Sequence, residues 1–172
     1  STLIKQLLSD EYQYMSFDDP INVRIFTEDP EGFLATYSNK IIFYEAQKVP
    51  EIFHYLKIAV DEDRQNYGKY IVTGSAQFSL MTKISESLAG RIGLLTLLPF
   101  EREEIPALYQ EQSVYQGQYP ELIEFKYLHT QDWYSSYVST YIEKDVRSIN
   151  DIGNLRDFNR LISLLATLIS SP

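Results

Sequence analysis

The residues best suited by type and spacing to do chemistry stand at the ends of short apolar runs. Ile41-Ile42-Phe43-Tyr44 delivers Glu45. In an open parallel sheet ligands sit outside the carboxyl ends of the strands, where a glutamate can orient an attacking water or hold a metal-bound species. On pattern alone a glutamate there is more often just the first solvated residue. Thr73-Gly74-Ser75 ends the next run, and its small hydroxyl residues could touch a terminal phosphate. The competing reading makes Ser75 the N-cap of the following helix, and both roles can hold together. This is no nucleophile elbow, because Gly74-Ser75-Ala76-Gln77 lacks the second glycine of that turn. In Leu88-Ala89-Gly90-Arg91 the glycine suits a left-handed helix end, and the arginine could complement carbonyl ends or meet a phosphate. Pattern alone favours its structural role.

Other chemistry is poorly supplied. His54 and His129 lie far apart and there is no cysteine, so metal ligation by the usual nitrogen and sulfur donors is not expected. The acidic cluster Glu101, Glu103 and Glu104 reads as a solvated helix start, and the Trp and Tyr stripes of the C-terminal part read as core.

The elements that must position these residues follow from periodicity. An amphipathic helix (Leu3, Ile4, Leu7, Leu8) begins at the first residue with no leader or cap, which suggests a missing upstream segment. Tyr12 to Phe17 has strand composition and is stopped by Asp18-Asp19-Pro20. Lys40 to Tyr44 is a second strand, and Pro50 opens a helix with Phe53, Leu56 and Val60 on one face. Tyr70 to Thr73 reads as a strand, Gln77 to Leu88 as a helix, and Ile92 to Leu98 as a further apolar strand. Short apolar strands alternating with helices imply an α/β fold with a parallel sheet, because each crossover needs a helix to return the chain. After Pro99 strong strands cease. Trp133, Tyr137 and Tyr141, then Leu155, Phe158, Ile162, Leu165 and Ile169, mark helical stripes. The expected organisation is an α/β core over 1–98 and a helical segment over 99–172.

A net charge of −9 opposes broad attraction to nucleic acid, which needs a basic face. No apolar run approaches the roughly 20 residues that cross a bilayer, and no basic leader opens the chain. With no cysteine, a reducing compartment fits, and the cytoplasm is the default expectation.

In order and spacing, Ile41-Ile42-Phe43-Tyr44-Glu45-Ala46-Gln47-Lys48-Val49-Pro50, Lys69 to Ser75 and Ser87-Leu88-Ala89-Gly90-Arg91 resemble the prokaryotic AAA-superfamily ATPases that carry a C-terminal domain of unknown function. The similarity extends to Asp18-Asp19-Pro20, to Asp29-Pro30-Glu31-Gly32-Phe33-Leu34, and from Trp133-Tyr134 to Tyr141–Arg147. The resemblance implies an incomplete P-loop NTPase sheet with flanking helices and, after it, the start of a truncated C-terminal domain. It assigns Glu45 to the Walker B strand end, Thr73 and Ser75 to the sensor position, and Arg91 to the arginine before the last core strand, acting in trans as a finger. The rival for Arg91 is an intrachain pair with a neighbouring carboxylate.

Two departures from the family pattern bear on activity. Ser1-Thr2-Leu3-Ile4-Lys5 resembles the segment just past the phosphate-loop lysine, so Ser1 would be the magnesium ligand and Thr2 its neighbour at the nucleotide, without the glycines and lysine. Tyr44 stands where the family has the Walker B aspartate, and a phenol cannot replace a carboxylate in a magnesium shell. The expectation is a fragment of an ATP-binding protein whose complete form uses ATP and magnesium, while this chain binds neither well and does not turn ATP over. The alternative is a degenerate, non-enzymatic interaction module that binds a protein partner or itself.

Overall fold

The computed structural model describes residues 2–74, 84, 87–142 and 155–169. The chain divides into two units, Ser1–Leu94 and Leu95–Pro172.

The first unit is built on three parallel strands, β1 (Gln13–Ser16), β2 (Ile41–Tyr44) and β3 (Tyr70–Val72), in the order β1-β2-β3. Gln13 pairs with Ile41 and Ser16 with Tyr44, while Ile41 pairs with Tyr70 and Phe43 with Val72. The central strand is apolar on both faces because both are covered, and Ile41, Ile42 and Phe43 are all buried. α1 (Thr2–Leu8) precedes the sheet and has no buried residue.

Between β1 and β2 the chain forms α2 (Pro20–Glu28) and α3 (Pro30–Thr36), and both begin with the same device. Asp19 and Asp29 are N-caps whose carboxylates accept from Ile21 N–H at 2.8 Å and Gly32 N–H at 2.9 Å. The proline after each supplies the fixed φ of a first helical residue without wasting a donor. These caps aim the helices so that Phe26 and Phe33 meet Phe17 and Phe43 in the core, with ring centroids 5.4 to 6.1 Å apart.

α4 (Ile52–Glu62) starts later than Pro50 suggests. Ile52, Phe53 and His54 N–H groups donate to the carbonyls three residues back, so Val49 to Glu51 form tight turns before the helix proper. Ile52, Phe53 and Leu56 are buried, and Val60 is half-buried. The helix expected over Gln77 to Leu88 lies largely outside the described residues; Ile84 and Leu88 are buried in the same core.

The apolar run Ile92 to Leu98 is not a strand, which corrects the reading from composition. Leu94, Leu95, Leu97 and Leu98 are exposed, Leu95 at 99 %. Apolar composition favours a strand only where a neighbouring strand takes up its backbone groups, and among the described residues none pairs with this run.

The second unit is helical. After 3-10 turns at Arg102–Glu104 and Ala107–Tyr109 come α5 (Gln110–Gln116), α6 (Pro120–Glu124), α7 (Thr130–Tyr137), a π-type turn (Val138–Ile142) and α8 (Leu155–Ile169). The acidic cluster is a capping box, with Glu101 and Glu104 satisfying each other's backbone N–H groups. Ile105, Leu122, Ile123 and Tyr127 form a small core against which Trp133 and Tyr134 pack. No described helix is long and apolar enough to cross a membrane. The architecture is the expected one of a small parallel sheet with flanking helices followed by a helical segment.

Candidate functional site

The carboxyl ends of the three strands lie side by side and are tied together by backbone bonds. Phe17 N–H donates to the Tyr44 carbonyl at 2.9 Å, Thr73 N–H to Phe43 at 2.8 Å and Ala46 N–H to Thr73 at 3.1 Å. The last bond crosses from the residue after Glu45 to the end of β3, so the structure brings Glu45 and Thr73 to neighbouring strand ends.

Glu45 takes a left-handed backbone, φ 58° and ψ 41°. That conformation costs a non-glycine residue roughly 1–2 kcal/mol. It swings the chain out of β2 and directly into the 3-10 turn Ala46–Lys48. The turn closes with Lys48 N–H on the Glu45 carbonyl at 3.0 Å and Val49 N–H on Ala46 at 3.1 Å. Gln47 Nε2 donates to Glu45 Oε2 at 2.6 Å, and both side chains are half-buried. Lys48 Nζ donates to Asp18 Oδ1 at 2.5 Å, bridging to the turn after β1, and that bond raises the Lys48 pKa. The ring of Tyr44 stacks on Tyr14 with centroids 5.8 Å apart. Burial, and then the charges that Tyr44, Asp18 and Glu45 can carry, hold the Tyr14 hydroxyl above its ordinary pKa.

Thr73 Oγ1 is buried and has no hydrogen-bond partner. A buried hydroxyl left unpaired is costly, and such an atom at a strand end suits a ligand oxygen. For magnesium the neighbouring strand end offers Tyr44, a phenol, where a carboxylate would be the usual ligand.

The remaining candidates fall elsewhere. Thr2 is the exposed first residue of α1, a helix whose Lys5 sits over the Tyr14 ring at 4.0 Å. Ser1 and Ser75 lie outside the described residues. Arg91 forms a two-pronged intrachain pair, Nε to Asp61 Oδ1 at 2.7 Å and Nη2 to Oδ2 at 3.0 Å. α4 leaves the carboxyl end of β2 and returns toward the start of β3, so Asp61, in its last turn, holds Arg91 at the strand-start edge, away from Glu45 and Thr73. Arg91, and then Arg64, hold the Asp61 carboxyl down to a pKa of about 2 against the opposing effect of burial.

Gln47, Lys48, Asp18 and Asp61 are the participants that sequence reasoning did not single out. Gln47 had a local signal, standing two residues past a strand-end glutamate. The Asp18–Lys48 and Asp61–Arg91 pairs join residues about 30 apart and leave no local pattern.

Comparison with known proteins identifies the family of each part of the chain. Residues 1–106 match a family described as an AAA domain, and residues 108–172 match a domain of unknown function, DUF8612. The uncharacterized proteins Rv2008c of Mycobacterium tuberculosis H37Rv and Mb2031c of Mycobacterium bovis are each 26 % identical over 153 residues, covering 86 % of this chain and 34 % of theirs. The chain thus spans about a third of the length of these relatives. No solved structure matches it. With a parallel sheet, a glutamate after its central strand and a family match over more than half its length, the chain belongs to the AAA-domain family and is AAA-type ATPase-like, followed by a C-terminal domain of unknown function.

Proposed function

We propose that this chain carries the strand-end half of a nucleoside triphosphate site, with Glu45 orienting the attacking water and Thr73, with Ser75, reading the terminal phosphate. The observation that carries the reading is the juxtaposition of a left-handed Glu45 with the unpartnered Thr73 hydroxyl at adjacent strand ends. A left-handed non-glycine residue and a buried unpaired hydroxyl each call for an explanation, and a ligand at the strand ends supplies one for both. In the complete protein the phosphates would be cradled by a glycine-rich loop and its lysine, beside Ser1 and Thr2. The 172 residues contain no Gly-Lys-Ser/Thr sequence. By this reading the chain alone binds ATP and magnesium weakly and does not turn ATP over, because phosphate affinity comes mainly from that loop, its lysine and a helix N-terminus. Arg91 is held in its pair with Asp61, so a role in trans would first have to open that pair. A cytoplasmic location belongs to the same proposal.

Calorimetric titration of the chain with ATP and magnesium tests this. We expect no saturable heat. A micromolar dissociation constant, about 8 kcal/mol of binding, would overturn the reading, since the groups present do not supply that much.

One observation favours an interaction role beside it. α8 leaves Leu161, Ile162, Leu164 and Leu165 exposed on one helix, a surface suited to a protein partner or to self-association. Sedimentation of the chain over a range of concentrations reads the self-association directly.

A further inference from the structure

We propose that Gln47 is the positioning residue of Glu45: its side-chain amide clamps Glu45 Oε2 on the turn after β2, aiming the carboxylate before any nucleotide arrives. The proposal deepens the nucleotide-site reading and rests on it for its catalytic part.

Residues two apart on a regular helix do not clamp each other in this way, because their side chains diverge. Here they meet because Glu45 is left-handed and Ala46–Lys48 is a 3-10 turn, which folds the Gln47 side chain back onto its neighbour. The orientation of the amide is fixed by chemistry. An ionised carboxylate only accepts, so the nitrogen of Gln47 and not its oxygen must face Oε2. At 2.6 Å the bond is at the short end for an N–H donor on a charged oxygen.

The frame beneath the clamp is anchored on both sides. Ala46 and Val49, on either side of Gln47, are buried. The turn is anchored to β3 through Ala46 N–H on the Thr73 carbonyl, and to the turn after β1 through Lys48 on Asp18. A glutamate side chain left alone at a strand end samples many rotamers, and freezing them at the moment of reaction raises the barrier. Holding Oε2 on a fixed amide removes that freedom and leaves Oε1 as the oxygen assigned to water.

Two measurements test the proposal separately from the reading it rests on. In the chain itself, the Gln47 side-chain amide protons should resonate downfield and exchange slowly. Glu45→Gln should remove both features while the backbone amides of Ala46 and Val49 stay in place. Ordinary, fast-exchanging Gln47 amide protons would overturn the clamp. In a loop-bearing protein carrying Tyr44→Asp, Gln47→Met keeps the length of the side chain and deletes the donor. It should lower kcat by about 10²-fold, the scale of a small misplacement, with KM little changed. Unchanged kcat in a protein that turns over would overturn the positioning role and spare the nucleotide reading. No turnover before Gln47 is touched would overturn the nucleotide reading, and the catalytic part of this proposal with it.

Discussion

Arg91 and Asp61, 30 residues apart in sequence, meet in a parallel two-pronged pair in which both carboxylate oxygens accept from the guanidinium. Arg64 approaches the same Oδ1 at 2.6 Å, so one carboxylate gathers two arginines at the end of α4. Arg91 also donates to the Ala89 carbonyl at 3.1 Å, which links that carboxylate to the helix end before Gly90, where φ is +72°. The pair therefore fastens the segment after Leu88 onto α4.

The first prediction concerns acid stability. The Asp61 carboxyl is held down to about 2 from 3.8, chiefly by its bond to Arg91. A depressed folded-state pKa contributes stability that is fully present above the unfolded value and disappears as pH falls through the folded one. Asp61→Asn should lower the urea midpoint at pH 6, and the gap to the unsubstituted chain should shrink from about pH 4 and close near pH 2. Arg91→Ala should destabilise similarly, and the double substitution little more than either alone. A gap that persists unchanged at pH 2 would mean that Asp61 is not titrating against Arg91.

How far the molecule was legible varies with the range of the interaction concerned. β1, β2 and β3 stand where apolar and aromatic composition puts them, most plainly β2, whose Ile41, Ile42 and Phe43 are buried on both faces. The Asp-Pro caps of α2 and α3 are equally local. Ile92 to Leu98 is also a largely apolar run and yet is no strand, since pairing depends on a neighbour and not on the run itself. The strand-end position of Glu45 was readable; its left-handed backbone and the Gln47 contact were not, because nothing in Glu45-Ala46-Gln47 marks a reversal that glycine or asparagine would announce. The partner of Arg91 is a tertiary fact and has no trace in the residues around it.

The second prediction isolates the C-terminal unit. Gly117 ends α5 with φ +88°, and a β-carbon there would collide with the Tyr134 hydroxyl, which donates to the Gln116 carbonyl at 3.1 Å. The Gly117 carbonyl in turn accepts from the Tyr127 hydroxyl at 3.0 Å. Gly117→Ala should cost about 1–3 kcal/mol from the backbone alone, with the collision added, and should displace α7. The single tryptophan, Trp133, stacks on Tyr137 at 5.1 Å, so its fluorescence reports that displacement directly. An unshifted emission spectrum and unchanged melting would show that α7 does not depend on this contact.

The third prediction separates binding from turnover at the strand ends. Supplying an upstream glycine-rich loop with its lysine should restore nucleotide binding, because backbone N–H groups, the lysine and the helix N-terminus provide most of the phosphate affinity. Hydrolysis should lag, since Tyr44, stacked on Tyr14, still occupies the place where the family has an aspartate. Adding Tyr44→Asp replaces a phenol by a carboxylate at a half-buried strand end and should raise phosphate release. Adding Glu45→Gln to that protein keeps the shape of the side chain and removes the charge that would orient water. It should leave binding intact while abolishing turnover, the signature of an interaction made only in the transition state. Steady-state phosphate release by the three proteins, with calorimetry alongside, reads both quantities. Equal rates with and without Tyr44→Asp would place Tyr44 outside the metal shell, and full activity after Glu45→Gln would remove Glu45 from the reaction.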